Sequence, residues 1–157
     1  AGATMQGEAG VDTETLDLVG AVTAMVIYVS SIVTFTARLV FGVGAGHWVG
    51  IPILLTAVPL AYLLVTAPAA GRPFLYLLQV GLMFLWIALL FVLDYWLEIP
   101  WRDEPWQLIS YVTLYFAGMG GMIGVSFLAG RAWGIAAVVL FLAAGTLAFV
   151  QRAVTGV

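Results

Sequence analysis

The chain has 157 residues, of which 64 % are hydrophobic and 8 % charged, and its formal net charge is −3. A water-soluble domain of this size carries about 25 % charged residues. The composition therefore excludes a soluble globule and points to an all-α, polytopic membrane protein.

The missing residue types remove whole classes of chemistry. With no Cys, disulfides, thiolate metal sites, iron–sulfur clusters and thiol nucleophiles are excluded. Every basic residue is an arginine (Arg38, Arg72, Arg102, Arg131, Arg152), so no lysine amine is present for a retinal or pyridoxal Schiff base. His47 is the single histidine, which is too few for bis-histidine haem or a multi-histidine metal site. No cofactor or metal is expected. Asn is absent too, which removes any N-glycosylation acceptor. The joint loss of Asn, Lys and Cys fits codon bias in a GC-rich genome better than heat adaptation, which enriches Lys. The absence of a basic patch excludes nucleic acid as a partner, and no polybasic cluster flanks a span.

Residues 1–12 form a small, polar, acidic tail without the features of a signal peptide. Met5 reads as a native start, with Ala1–Thr4 as a tag remnant. Residues 13–157 form one transmembrane domain. Asp12 or Thr13 caps the first helix, and Glu14 and Asp17 suit its N-terminal dipole.

Five runs are long enough to cross a bilayer: about Leu16–Phe41, Trp48–Thr66, Phe74–Leu97, Leu108–Leu128 and Trp133–Val150. Pro59 lies inside the second and should kink it. The short connections force successive helices to be antiparallel neighbours, giving a compact five-helix bundle. With the N-terminus outside a prokaryotic inner membrane, Arg38, Arg102 and Arg152 face the cytoplasm, and Arg72 and Arg131 face out. The positive-inside rule thus favours N-out, C-in by one arginine.

The first span carries a polar stripe of Thr23, Ser30, Ser31, Thr34 and Arg38. Such a stripe is wasted against lipid and should face the bundle. It lines a pathway or pocket, or it serves helix–helix hydrogen bonding. Gln79 is the strongly polar side chain near the middle of the third span. It meets that stripe, bonds a carbonyl freed by Pro59, or packs.

The densest polar cluster runs from Asp94 to Trp106. On a helix, Asp94 and Glu98 share a face, Pro100 ends the helix, and Arg102 can fold back onto either carboxylate. A rim site for a cation or a proton relay is one reading. Charges in an interfacial aromatic belt of Tyr95, Trp96, Trp101, Trp106 and Tyr111 are the other. Asp94 is the best single candidate, because it can lie inside the apolar slab.

In the fourth span, Gly118, Gly120, Gly121 and Gly124 mark close helix packing, with Gly120 and Gly124 in GxxxG spacing. Gly130 and Gly134 repeat that spacing. Met83, Met119 and Met122 read as core filler. Ser126 has no catalytic base beside it in sequence. No catalytic constellation is present.

The expected function is therefore binding of a lipid or other apolar ligand, or service as an accessory membrane subunit. A small oligomeric transporter or channel lined by Ser31, Thr34, Arg38, Asp94 and Glu98 is the alternative. A lipid-headgroup enzyme using Asp94, Glu98, Arg102, Asp103 and Glu104 has the least support. The partners to expect are membrane lipids and a second copy or another membrane subunit.

Overall fold

In the computed structural model, which describes residues 12–42, 44–100, 102 and 104–156, Asp12 starts the first helix. Its carboxylate accepts hydrogen bonds from the Glu14 amide (3.1 Å) and the Thr15 hydroxyl (2.7 Å). The Thr15 hydroxyl first, then the Glu14 amide, hold the Asp12 carboxyl below its usual range. The stabilisation from a carboxyl so depressed is full above the usual range and is lost as pH falls below that range through the depressed value.

Five helices are long and apolar enough to cross a membrane: α1 (Thr13–Phe41), α2 (Ala45–Thr66), α3 (Phe74–Trp96), α4 (Pro105–Leu128) and α5 (Arg131–Thr155). No strand occurs among the described residues. Each expected span is present, and most run further than hydropathy alone indicates, because helix geometry continues into the polar flanks. α1 has 29 residues, a rise of about 43 Å at 1.5 Å per residue. The tail through Val11, together with Val43, Trp101, Asp103 and Val157, lies outside the described residues.

α1 is the hub. It packs on α2, α4 and α5, while α3 packs on α2 and α4, so α1–α4 form a ring with α5 laid along the α1–α4 seam. The buried stripes have helical spacing. Tyr76, Val80, Met83, Ile87 and Leu90 come from α3, and Tyr115, Met119, Met122 and Val125 from α4. The three methionines are fully buried core residues, as expected. Tyr28 of α1 donates to the Met119 carbonyl at 2.6 Å and ties the hub to α4 inside the core.

α2 is interrupted twice, at Gly50 and at Thr56. Each break lies within one turn ahead of a proline, Pro52 or Pro59. A proline has no amide proton and its ring clashes with the carbonyl four residues back. At the second break Thr56 donates both its amide (3.1 Å) and its hydroxyl (2.5 Å) to the Ile53 carbonyl. The interruption expected from Pro59 falls at Thr56.

Gln79 lies against α4. A Cβ added at Gly121 would sit 3.2 Å from the Gln79 Cα, and one at Gly124 would meet its side-chain amide. A Cβ at Gly118 would sit 3.0 Å from the Met83 Cα. Gly118, Gly121 and Gly124 therefore form the close-approach seam with α3, at a spacing of three. Gly120 has nothing within 4 Å of an added Cβ, so the Gly120–Gly124 pairing read from the sequence is corrected to this three-residue repeat. Gly134 also serves packing, beneath the Phe127 ring.

At the end of the bundle where α1 begins, Arg72 pairs with Asp17, donates to the Thr13 carbonyl at 3.2 Å, and lies over the Tyr76 ring. Asp17 thereby binds the α2–α3 connection to α1, beyond the dipole role assigned from sequence.

The seam makes a discriminating prediction. Gly118→Val and Gly121→Val should each destabilise the fold by about 1–3 kcal/mol, the usual cost of overpacking. Gly120→Ala should be near neutral. Thermal unfolding of the variants in the same detergent checks this.

Candidate functional site

All five helices contribute to one cavity of about 460 Å³. It lies at the end where α1, α3 and α5 finish and α2 and α4 begin. Its volume falls in the range of small-molecule sites, roughly 300–1,000 Å³.

α1 supplies Ser31, Thr34 and Arg38, at helical spacing down one wall. Ser31 is 2 % exposed and Thr34 6 %. The other buried serine and threonine hydroxyls, those of Thr23, Thr56 and Ser126, each donate to a carbonyl of their own helix. Ser31 and Thr34 do not: their hydroxyl oxygens have no protein partner in hydrogen-bond geometry. The polar stripe thus divides. Thr23 is satisfied locally, while Ser31, Thr34 and Arg38 line the cavity. Ser126, bonded to Met122 and far from His47 along the bundle, has no base.

Arg38 runs across Gly46 at the start of α2. A Cβ at that position would overlap the arginine stem and Nε, so only glycine leaves the passage open. The Arg38 Nε–H is buried without an acceptor.

α3 brings Trp86, Leu90, Asp94 and Tyr95. Asp94 continues the buried stripe of Val80, Met83, Ile87 and Leu90. The last turn, Phe91–Trp96, is widened to π geometry, and the Leu97 amide donates to the Val92 carbonyl at 2.9 Å. An extra residue in the turn lets Asp94 and Tyr95 both reach the cavity. Widened turns of this kind are common at functional sites. Tyr95 stacks on His47 at 4.4 Å and donates to the His47 carbonyl at 2.6 Å. This contact draws the bland histidine of the sequence into the site.

Arg102 folds back onto Asp94 through two parallel bonds, Nη1 to Oδ1 at 3.0 Å and Nη2 to Oδ2 at 2.6 Å. The side chains are 24 % and 12 % exposed respectively. Bidentate geometry of this kind fixes orientation as well as charge. Glu98 does not share a helical face with Asp94, because α3 ends before it. Glu98 is exposed and takes a positive φ of 49°, yet it still lines the cavity rim.

Sequence reasoning missed most of the aromatic wall. Trp86, Tyr115 and Phe116 line the cavity, as does Phe149 of α5. Trp86 packs on Tyr111 and Tyr115 at 5.9 and 5.0 Å. The Trp86 Nε1–H and the Tyr115 hydroxyl are further buried polar atoms without a protein partner in hydrogen-bond geometry, the latter near Ser31. Trp96 and Trp106 are exposed. Tyr95 and Tyr111, assigned to the same belt from sequence, belong to the cavity instead. Arg152 joins Arg38 and Arg102 at its edge.

Of the residues proposed from sequence, the structure gathers Ser31, Thr34, Arg38, Asp94, Glu98 and Arg102 into one cavity and places Gln79 outside it, on the glycine seam. No group of three or more metal-ligating His, Asp or Glu side chains occurs among the described residues.

Breaking the ion pair from one side should leave the other charge in a poorly hydrated place. Asp94→Asn is expected to cost about 1–3 kcal/mol, between surface and fully buried pairs. The double variant Asp94→Asn/Arg102→Gln should cost less than the sum of the two single changes, which thermal unfolding of the four proteins will read. Compared with models of protein families, with curated proteins and with solved structures, the chain matches none.

Proposed function

We propose that this is an integral membrane protein that binds a lipid or other apolar molecule in the cavity shared by its five helices. The observation that carries the reading is the cavity's lining: an aromatic and aliphatic wall that holds several buried polar atoms without protein partners. A folded bundle rarely leaves such atoms unsatisfied, and a bound molecule with acceptor groups supplies what they lack.

Insertion into a membrane is supported by the outward surface. Val22, Val26, Val29 and Val33 of α1, and Leu75, Leu78 and Leu85 of α3, are exposed, and an apolar coat of this extent is stable against hydrocarbon rather than water. The shared position of Arg38, Arg102 and Arg152 at the cavity supports a cytoplasmic opening, with the N-terminus outside.

A pathway through one protomer has less support. The lining reaches inward to Ser31 and Trp86. Beyond it, Ala24, Ile27, Met83, Met119 and Met122 are fully buried and close the bundle.

Native mass spectrometry of protein extracted in mild detergent, without delipidation, tests the proposal. The expected spectrum contains a discrete apolar adduct that survives detergent. Gly46→Val, which displaces Arg38, should deplete it. Protein that is free of adducts at every detergent strength, and that forms a defined homo-oligomer, would overturn the binding reading in favour of transport.

A further inference from the structure

We infer that the cavity takes an amphiphile with an anionic head, a carboxylate or phosphodiester, which binds against Arg38 and Thr34 with its apolar chain along the aromatic wall. The inference rests on the proposed binding function and specifies its ligand.

The chemistry of the unmatched atoms selects the head. Arg38 Nε–H and Trp86 Nε1–H are donors that cannot accept, and both are buried without a partner. Thr34, 6 % exposed, leaves its hydroxyl unpaired where comparable hydroxyls turn back onto their own helices. A ligand matching this set must present acceptors. Asp94 is committed to Arg102. Among the described residues, neither Arg38 nor Arg152 has a carboxylate within ion-pair distance. The acceptor that fits best is therefore negatively charged, and a charge-assisted bond to guanidinium is the stronger kind.

The wall selects the rest of the molecule. Trp86, Leu90, Leu93, Val112 and Phe116 surround the polar atoms, which suits a hydrocarbon chain and not a hydrated ion. Phe149 lines the cavity yet is 66 % exposed, and it stacks on Phe116 at 5.7 Å. The cavity edge between α4 and α5 thus meets the outer, apolar surface, where a chain can leave sideways.

The test uses the full chain in neutral maltoside detergent, with doxyl-labelled stearic acid and its methyl ester as probes. The two share a tail and differ in head charge. The expected result is saturable quenching of tryptophan fluorescence by the acid, largely lost in Trp86→Phe, with the ester at least about tenfold weaker. Arg38→Gln should weaken the acid by about tenfold, the worth of one charge-assisted hydrogen bond, and leave the ester unchanged. Arg38→Lys keeps the charge and should fall between. Thr34→Val, a near-isosteric change, should also weaken the acid and serves as the arbiter if Arg38→Gln does not fold. Phosphatidylglycerol should displace the acid and inorganic phosphate should not. Displacement by inorganic phosphate alone would replace the amphiphile with a simple anion site. Equal binding of acid and ester, indifferent to Arg38, would overturn the anionic head while leaving the cavity a binding site. Absence of saturable binding by either probe would remove the binding function itself.

Discussion

Polar groups inside this bundle have few places to go, and that constraint organises the molecule. Only 8 % of the residues are charged, and much of the outward surface is apolar. The buried hydroxyls of Thr23, Thr56 and Ser126 answer by bonding to their own helix. Tyr28 answers by reaching the Met119 carbonyl, and Thr56 by bonding the Ile53 carbonyl. The charged pairs Asp17–Arg72 and Asp94–Arg102 answer at opposite ends of the bundle. This satisfaction fails at Ser31, Thr34, Arg38, Trp86 and Tyr115, which line one cavity, and also at the Arg72 Nε and the Tyr76 hydroxyl, which lie outside it.

Helix contact is governed by a different rule. Small residues on facing helices let the two backbones approach closely. α4 meets α3 through Gly118, Gly121 and Gly124, so that backbone rests on backbone near Met83 and Gln79. The tight seam at one level and the open cavity at another belong to the same pair of helices. Above the seam α4 carries Tyr111, Tyr115 and Phe116, and α3 carries Trp86 and Asp94.

Much of the candidate site was legible before folding. Ser31, Thr34 and Arg38 recur at helical spacing, and polar residues at that spacing in an apolar span face inward. Asp94 stands where an apolar stripe is interrupted by a carboxylate. Other members were illegible for identifiable reasons. His47 looks interfacial because nothing near it in sequence carries Tyr95. Gln79 looks like a partner of the polar stripe because it is polar at mid-span, yet its level on α3 faces the α4 glycines. Glu98 looks like the companion of Asp94 only while the helix is taken to continue, and the widened turn at Phe91–Trp96 removes it. No basic cluster can be read along the chain, because Arg38, Arg102 and Arg152 come from three separate segments and meet only at the cavity.

The sequence by itself determined the all-helical class, the number of runs long and apolar enough to cross a membrane, and the side-chain chemistry that is unavailable. Those properties follow from composition and run length, which no arrangement in space alters. Tertiary structure alone decided which polar atoms remain without partners. That depends on the level at which each residue meets its neighbour on another helix: a hydroxyl bonded to its own carbonyl and one left facing a cavity have the same sequence signal. It also decided which glycines are pressed against backbone, since spacings of three and four differ on a helix by about 100° in the direction they face.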